Sequence, residues 1–195
     1  LVVLQHFAQL DFLHFSGVGN GYQYPLKVVN CVEEDAEGNL WIASENGLFC
    51  HDYKTGQLYP LSPKIKSEID LSGEFIRLLK RDVHGNMWVV HSSGLSLIMP
   101  TENGNYHLQQ LLRSSTVESL CFVGNSVYIG DNNNIIRMIP DNGGVYKRVD
   151  TTEMLRNLNG IITVIFVDNN WLWVGTSIGL LKFNLNTEES IYYTN

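Results

Sequence analysis

The sequence predicts an all-β protein made of four-stranded antiparallel sheets arranged as the blades of a β-propeller. The first observation is a motif in which Trp precedes Gly-Leu by six positions, at residues 41–48, 88–95 and 173–180. The second is a degenerate copy at residues 121–131, in which Tyr128 stands in the position of the Trp. The four aromatic positions are 47, 40 and 45 residues apart. A nearly fixed period of this size indicates a repeat protein.

Each repeat shows the same order of strands and turns. An apolar run rich in β-forming residues is followed by a polar turn and by a second strand that carries the aromatic residue. A tight turn with Gly leads into a third strand, and another turn leads into a weaker fourth strand. Four short antiparallel strands per repeat are typical of a propeller blade. Trp41, Trp88 and Trp173 are therefore predicted to be buried between neighbouring sheets, where such a side chain covers ~150–250 Å².

The predicted blades follow one another along almost the whole chain. They comprise residues 28–61, 75–112, 117–150 (the degenerate blade) and 161–193, separated by polar connections at 62–74 and 151–160. Residues 1–27 are predicted to form a leading strand and loop, with the strand at 11–15. Two interpretations of residues 1–9 stay open: the end of the apolar region of a signal peptide, or an opening β-strand.

The repeat resembles the two-component regulator propeller repeat, whose pattern reads I-x-x-D-x-x-G-x-L-W-I-G-T-x-x-G-L. Residues 28–58 and 161–187 match it closely, and residues 117–139 match it in outline. Residues 75–100 carry Val89-Val90-His91 where Ile-Gly-Thr is usual. This repeat builds the extracytoplasmic sensor of hybrid histidine kinases, many of them from gut Bacteroidetes. The resemblance implies a periplasmic sensor propeller of about seven blades, with a membrane span and a histidine kinase elsewhere in a longer chain.

The composition is that of a globular domain that does not bind nucleic acid. The chain has 20 acidic and 13 basic residues, a net charge of −7, and no Lys/Arg cluster longer than two. No apolar run approaches the ~18–20 residues of a membrane span. Cys31 and Cys50 are predicted on the first and third strands of one blade, ~9–10 Å apart, which is too far for a disulfide. Together with Cys121 they are therefore predicted to be free thiols.

No catalytic constellation is visible in the sequence. It contains no Gly-x-Ser-x-Gly elbow, no phosphate-binding Gly-rich loop and no His-Glu-x-x-His helix. We therefore predict no enzymatic activity, no catalytic or metal-ligating residue and no cofactor for this segment. Asp35, Asp82 and Asp168 precede hairpin turns and are interpreted as acceptors for turn amides rather than as catalytic carboxylates.

Two other features allow a functional interpretation beside the structural one. Trp171 is predicted to lie in the first hairpin turn of its blade as an exposed aromatic residue. Residues 131–134, Asp-Asn-Asn-Asn, offer oxygen ligands to a hard cation such as Ca²⁺. A simple turn is the favoured interpretation of this run, since four adjacent side chains rarely converge on one ion.

The candidate ligand-binding residues lie in the turns that join second to third strands. Propellers bind ligands where these turns gather around the central channel. The candidates are Glu45, Asn46, His91, Ser92, Ser93, Asn132, Asn133 and Ser177. Small, neutral hydrogen-bonding groups with one acid suit a polyhydroxylated ligand better than a phosphate, although they also suit any tight turn.

The leading hypothesis is a sensor module that binds a glycan-derived oligosaccharide and relays a signal to a histidine kinase. The sensing role and the ligand class come from the resemblance. The alternatives are a protein-interaction scaffold without a small ligand, and a propeller hydrolase or lyase. Four blades leave the outer faces of the first and last sheets bare, which a soluble monomer tolerates poorly. We therefore expect the chain to belong to a longer sensor and to form homo-oligomers through these ends, with residues 11–15 as a segment that copies could exchange.

Overall fold

The computed structural model describes residues 26–66 and 70–194. In this part of the chain there are 17 β-strands and two short 3-10 turns, Ser62–Lys64 and Glu153–Leu155. The all-β prediction is confirmed: more than half of the described residues lie in strands, grouped into successive four-stranded antiparallel units. None of the described residues belongs to a helix that could cross a membrane. The strand predicted at residues 11–15, and residues 1–9, lie outside the described residues.

The strands follow the chain order within each sheet. The first sheet contains β1 (Val29–Glu34), β2 (Leu40–Ser44), β3 (Gly47–His51) and β4 (Leu58–Pro60). The second contains β6 (Ile76–Arg81), β7 (Met87–His91), β8 (Gly94–Pro100) and β9 (Tyr106–Leu112), with the two-residue β5 (Ile65–Lys66) added parallel to β9. The third contains β10 (Val117–Val123), β11 (Ser126–Asp131), β12 (Asn134–Pro140) and β13 (Tyr146–Val149). The fourth contains β14 (Ile162–Asp168), β15 (Trp171–Thr176), β16 (Gly179–Asn184) and β17 (Ser190–Tyr193).

The four sheets share one register, which makes their positions directly comparable. In each, the first strand pairs antiparallel with the second and has a register shift after its first residue. The shift is a β-bulge, which bends and twists the strand. The residues before the bulge are equivalent from sheet to sheet: Val29, Ile76, Val117 and Ile162.

Successive sheets pack face to face around three apolar cores. Trp41 and Cys50 of the first sheet pack against the second, in the same core as Ile76 and Leu79. The second and third sheets share a core that contains Trp88, Leu97, Val117 and Leu120. The third and fourth share one that contains Tyr128, Ile135, Ile162 and Ile165. Because each core forms between neighbours in sequence, the sheets stack in chain order, as a repeat architecture requires.

The Trp of each of the first two repeats contacts the next sheet. Trp41 meets the edge of Tyr106 at a ring-centroid distance of 4.9 Å and an interplanar angle of 84°. Trp88 meets Tyr146 in the same way, at 4.8 Å and 84°. Both Tyr residues begin the fourth strand of the following sheet. Edge-to-face pairs are worth ~0.5–1.5 kcal/mol beyond the buried area, so this contact helps to fix how one sheet sits on the next.

Asp35 and Asp82 tie the first hairpin turn to the buried Trp. Asp35 Oδ1 accepts from the backbone N–H groups of Glu37 (3.0 Å) and Asn39 (2.8 Å), and its Oδ2 accepts from Trp41 Nε1 at 3.1 Å. Asp82 repeats these contacts, with Trp88 Nε1 at 3.0 Å. The predicted turn-amide role is confirmed for these two residues, and both carboxylates also satisfy a buried indole donor.

The fourth sheet departs from three predictions. Trp173 is only half-buried, because no further described sheet packs on its face. Asp168 is exposed and lies opposite Trp171 in the ladder, because the Asp-to-Trp spacing is one residue shorter here. Among the described residues, no hydrogen bond joins Asp168 to Trp173. Trp171 is not a turn residue: it begins β15, and the turn is formed by Asn169 (φ 53°) and Asn170.

The connection at residues 62–74 is more than a polar linker. Its flanking Leu61 and its Leu71 are fully buried in the core between the first two sheets. Ile65 and Lys66 extend the second sheet by a short parallel strand. The apolar contacts of Leu61, Ile65 and Leu71 anchor the connection, which the surrounding polar sequence did not indicate.

The Gly of the repeated Gly-Leu pair is required by close backbone packing. Gly94 has φ +142°, and a Cβ there would lie 2.0 Å from the Leu112 carbonyl oxygen at the end of the fourth strand. At Gly179 a Cβ would lie 2.5 Å from the Tyr193 carbonyl oxygen. Any larger residue would push the fourth strand away from the third.

All three cysteines are free, as predicted. Cys50 and Cys121 are buried, and burial raises the pKa of the Cys121 thiol to about 11. Cys121 is therefore a neutral packing residue at physiological pH.

Candidate ligand-binding face

The turns between second and third strands are built alike in all four sheets. In each, one turn residue donates its backbone N–H to the carbonyl of the residue that leads into the same sheet. The pairs are Glu45 to Val28 (3.1 Å), Ser92 to Phe75 (3.0 Å), Asn132 to Thr116 (3.1 Å) and Ser177 to Ile161 (2.8 Å). We call this end of the sheets the turn face. It consists of residues 44–47, 91–94, 131–134 and 176–179 with the leading residues 28, 74–75, 114–116 and 160–161.

Hydrogen bonds link the turn face from one sheet to the next. Asn30 Nδ2 donates to the Ile76 carbonyl at 2.8 Å and joins the first sheet to the second. Arg77 Nη1 donates to the Ser115 carbonyl at 2.9 Å and joins the second to the segment leading into the third. The Ile162 N–H donates to the Asn132 carbonyl at 2.7 Å and joins the third to the fourth. Direct hydrogen bonds therefore join neighbouring sheets beside the turn face.

The second sheet presents a carboxylate held by two hydroxyls. Glu74 accepts hydrogen bonds from Ser92 Oγ and from Ser93 Oγ, the latter at 3.0 Å. Desolvation acts to raise the pKa of Glu74, but the Ser92 and Ser93 hydroxyls and nearby His91 outweigh it, so the pKa is lowered. Glu74 is thus an ionised acceptor whose side chain is 24% exposed.

His91 lies beneath this carboxylate and is fully buried. Its Nε2 lies 2.9 Å from Ser96 Oγ, and its Nδ1 lies 3.8 Å from Glu74 Oε2, beyond hydrogen-bond distance. Ser44 and Thr176 occupy the position of His91 in the first and fourth sheets. Their hydroxyls donate to the backbone carbonyls of Gly47 and Gly179, the last residues of these turns. The His91 side chain therefore packs below the turn and does not reach the surface.

Ser96, His91 and Glu74 lie in the order of a hydrolase triad without the geometry of one. Ser96 is fully buried, so its hydroxyl cannot reach a substrate. The gap of 3.8 Å between His91 Nδ1 and Glu74 Oε2 leaves the imidazole unoriented by the carboxylate. This arrangement supports no acyl transfer by Ser96.

The buried imidazole should make the stability of the fold pH-dependent. Burial lowers the pKa of His91 below its ordinary value of 6.5, against the opposing effect of Glu74 and with a smaller lowering contribution from Arg77. The unfolded chain therefore binds a proton at a higher pH than the folded chain. The stabilisation is full above pH 6.5 and is lost as the pH falls below that value. Urea unfolding of the parent should show this loss, and the His91→Gln variant should show less of it. If the free energy of unfolding of the His91→Gln variant fell with decreasing pH as steeply as that of the parent, His91 would not be the source of the pH dependence. The matched control is His84→Gln, which changes an exposed histidine.

The third sheet holds a second carboxylate with two hydroxyl partners. Asp131 Oδ1 accepts from Ser114 Oγ at 2.7 Å and from Thr116 Oγ1 at 2.6 Å. Asn132 has φ 55° and shapes the turn, and Asn134 Oδ1 accepts from the Asn157 N–H at 3.1 Å. These contacts favour a turn over a calcium loop for residues 131–134. Within residues 26–66 and 70–194, no group of three or more His, Cys, Asp or Glu is placed to hold a metal.

All eight predicted residues lie on the turn face, but they differ in accessibility. Glu45, Ser93, Asn132 and Ser177 are exposed, Asn46, Ser92 and Asn133 are half-buried, and His91 is buried. Sequence reasoning missed Glu74, Ser114 and Thr116. Each lies just before the first strand of a sheet. The only sequence feature that could have indicated them is that they are polar residues directly before an apolar run.

The opposite end of the sheets carries a shallow hollow. It has a volume of about 590 Å³ and is lined in part by Glu33, Arg81, Val83, His84 and Phe122. Val83 is 89% exposed there. This hollow lies beside the first hairpin turns, so it is separated from the turn face by the length of the strands.

Known proteins share the repeat and the fold. Residues 23–46 match the two component regulator propeller family. No curated protein matches the chain in sequence. Among solved structures, the chain resembles the extracellular domain of a putative hybrid two component system from B. thetaiotaomicron, with 18% identity and a TM-score of 0.61 over 89% of this chain and 24% of that one.

Two enzymes are similar to the chain at the same level. One is virginiamycin B lyase from Staphylococcus aureus, with 14% identity and a TM-score of 0.58 over 89% of this chain and 59% of that one. The other is a gluconolactonase from Xanthomonas campestris, with 15% identity and a TM-score of 0.59 over 85% of this chain and 61% of that one. At these identities the likeness shows the fold alone. The chain spans less than two thirds of each of these structures.

Proposed function

Because the chain carries a repeat of the two component regulator propeller family, we propose that it is part of the ligand-sensing propeller of a hybrid two component system. In this proposal the propeller lies outside the cytoplasm, in the periplasm. It binds a glycan-derived oligosaccharide on the turn face and relays the binding event to a histidine kinase.

The pair of hydroxyl-bound carboxylates on adjacent sheets carries this proposal. Glu74 with Ser92 and Ser93, and Asp131 with Ser114 and Thr116, each combine acceptor and donor oxygens on the turn face. Sugar hydroxyls both donate and accept, so they can exchange with these hydrogen bonds one for one.

The charge of the turn face favours a neutral ligand over an anion. Arg77 already donates to the Ser115 carbonyl and lies 3.9 Å from Glu118, which reduces the positive charge it offers. Glu45, Glu74 and Asp131 are acidic. A phosphate or carboxylate would therefore meet repulsion on this surface.

The lyase and gluconolactonase neighbours favour an enzyme as the second candidate. Their TM-scores of 0.58 and 0.59 are close to the 0.61 of the two component system domain. Structural similarity therefore does not distinguish a sensor from an enzyme. The family match of residues 23–46 supports the sensor. The burial of Ser96 and His91 supports it too, because it keeps the arrangement of Ser96, His91 and Glu74 away from substrate.

Binding of neutral oligosaccharides tests the proposal. The parent chain is screened on a glycan array, and the strongest neutral oligosaccharide is titrated by calorimetry. Glu74→Gln should weaken its binding at least about tenfold, since one charge-assisted acceptor is lost. The matched control is Glu102→Gln, which changes an exposed carboxylate in the β8–β9 turn, at the other end of the strands.

Three results would contradict the proposed sensor. One is the absence of any bound neutral oligosaccharide. Another is equal weakening by Glu74→Gln and Glu102→Gln. The third is turnover of gluconolactone or of virginiamycin B, which would favour the enzyme instead.

A further inference from the structure

A cluster of four residues lies where the second sheet meets the third, beside the turn face. Arg77 Nη1 donates to the carbonyl of Ser115 at 2.9 Å. The Arg77 guanidinium lies over the ring of Phe75, 5.7 Å from the ring centroid, and its Nε lies 3.9 Å from Glu118 Oε1. We call Phe75, Arg77, Ser115 and Glu118 the junction cluster, because Arg77 joins one sheet to the next.

The junction cluster connects the two hydroxyl-bound carboxylates of the turn face. On one side, Phe75 directly follows Glu74 in the chain. On the other side, Ser115 lies between the two residues whose hydroxyls donate to Asp131. Arg77 contacts both Phe75 and Ser115, so it bridges the segments that carry the two acceptor sites.

β-Bulges give Arg77 and Glu118 their exposure. The register shifts at Arg77 in β6 and at Glu118 in β10, so neither residue has a partner in its strand ladder. A bulge re-aims the side chain of its extra residue and is over-represented beside active sites. The exposed fractions of the two side chains are 27% and 42%. Both sheets have a described sheet packed on each face, so this exposure is not that of an outer face.

The junction cluster combines an aromatic ring with a paired cation and anion. Phe75 is half-buried, and in the other three sheets its position is held by the non-aromatic residues Val28, Thr116 and Ile161. A pyranose ring has a face of C–H groups and a rim of hydroxyls. The C–H face can pack on the aromatic ring, while the hydroxyls donate to the carboxylate and accept from the guanidinium. Because the ion pair has no net charge, it suits a neutral sugar.

We propose that the junction cluster is the subsite for one neutral pyranose ring of the ligand, with the ring stacked on Phe75 and its hydroxyls bound by Arg77 and Glu118. This inference rests on the proposed function for the oligosaccharide and adds the position of one sugar unit. Glu74 and Asp131 then lie on either side of that unit. Phe75 and Glu118 become specificity-determining residues that the turn sequences do not include.

Titration with simple sugars tests the subsite. The methyl glycosides of glucose, galactose and mannose are added at millimolar concentrations, and NMR follows the ring protons of Phe75 and the Nε–H of Arg77. At least one glycoside should shift both signals to saturation. Phe75→Leu should weaken its binding at least about fivefold, and Phe75→Trp should preserve it, because stacking needs an aromatic face. Glu118→Gln should weaken it at least about tenfold, since a charge-assisted acceptor is lost. The matched control is Tyr53→Leu, which changes a 67% exposed aromatic residue beside the first hairpin turn of the first sheet, at the opposite end of the strands.

The outcomes separate this subsite from the proposed sensor function. If an oligosaccharide binds and Glu74→Gln weakens it, while Phe75→Leu and Glu118→Gln do not, the sensor stands and the subsite is wrong. If a glycoside shifts the Phe75 signals but no oligosaccharide binds, the subsite stands and the sensor proposal fails. The absence of any shift at Phe75 overturns the subsite. So does a Phe75→Leu variant that is folded by circular dichroism, is less stable in urea and binds the glycoside as the parent does, because Phe75 is then a packing residue only.

Discussion

Replacing Trp88 by Ala should lower the free energy of unfolding by ~3–5 kcal/mol. Trp88 is fully buried between the second and third sheets and meets the edge of Tyr146 at 4.8 Å. Its loss opens a cavity in that core and leaves Asp82 with one hydrogen bond fewer. The effect should be as large for Trp41, which has the same contacts in the first core.

Trp173→Ala is the matched control and should cost less, about 1–2 kcal/mol, because only part of the side chain is removed from water. It is measured at a protein concentration low enough to separate any paired copies. The loss of stability in Trp88→Phe should lie between those of Trp88→Ala and Trp173→Ala, because the phenyl ring is still buried but the indole N–H donor is absent. Urea unfolding followed by circular dichroism gives all three values. An equal loss for Trp88→Ala and Trp173→Ala would contradict the stacking order of the sheets.

Asp82→Ala should destabilise the fold by ~2–4 kcal/mol although it removes no apolar side chain from the core. The substitution removes the acceptor of Trp88 Nε1 at 3.0 Å and of the Asn86 side chain at 3.0 Å, together with two turn amides. Buried donors without an acceptor carry the full cost of their desolvation.

Asp168→Ala provides the comparison within the same protein. Asp168 is exposed and bonds only to the Asn169 side chain among the contacts of the described residues, so its loss should change stability by no more than about 0.5 kcal/mol. Asp82→Asn, which keeps one acceptor oxygen, should be intermediate. If Asp82→Ala and Asp168→Ala have the same effect on urea unfolding, the carboxylates are equivalent turn residues and the role assigned to Asp82 is wrong.

The repeated motif was enough to predict the strands and the sheets, because Trp, Gly and Asp at fixed spacing each have one structural task. It was not enough for the fourth sheet. Trp173 carries the same signal as Trp41, yet its burial depends on a further sheet that the local sequence does not describe. The turn-amide role predicted for Asp168 is wrong for a local reason. The turn is one residue shorter, so the carboxylate lies in the strand.

The candidate site was predictable in its location but not in its chemistry. The turns between second and third strands follow from the repeat, so residues such as Ser92 and Asn132 could be placed on one face. Glu74 and Ser114 lie in irregular segments with no motif, and only the fold brings them to Ser92 and Asp131. The burial of His91 follows from its position at the end of a strand whose neighbours are all buried.

Hydrogen–deuterium exchange of the chain with its strongest neutral oligosaccharide tests the location of the binding site most directly. Slower exchange is expected in peptides that contain residues 91–94, 114–116 and 131–134, since bound hydroxyls would shield these turn amides. Peptides with residues 35–39 and 82–86, at the opposite end of the strands, should exchange as before. Protection confined to the opposite end, beside the hollow lined by Val83 and Phe122, would contradict a binding site on the turn face.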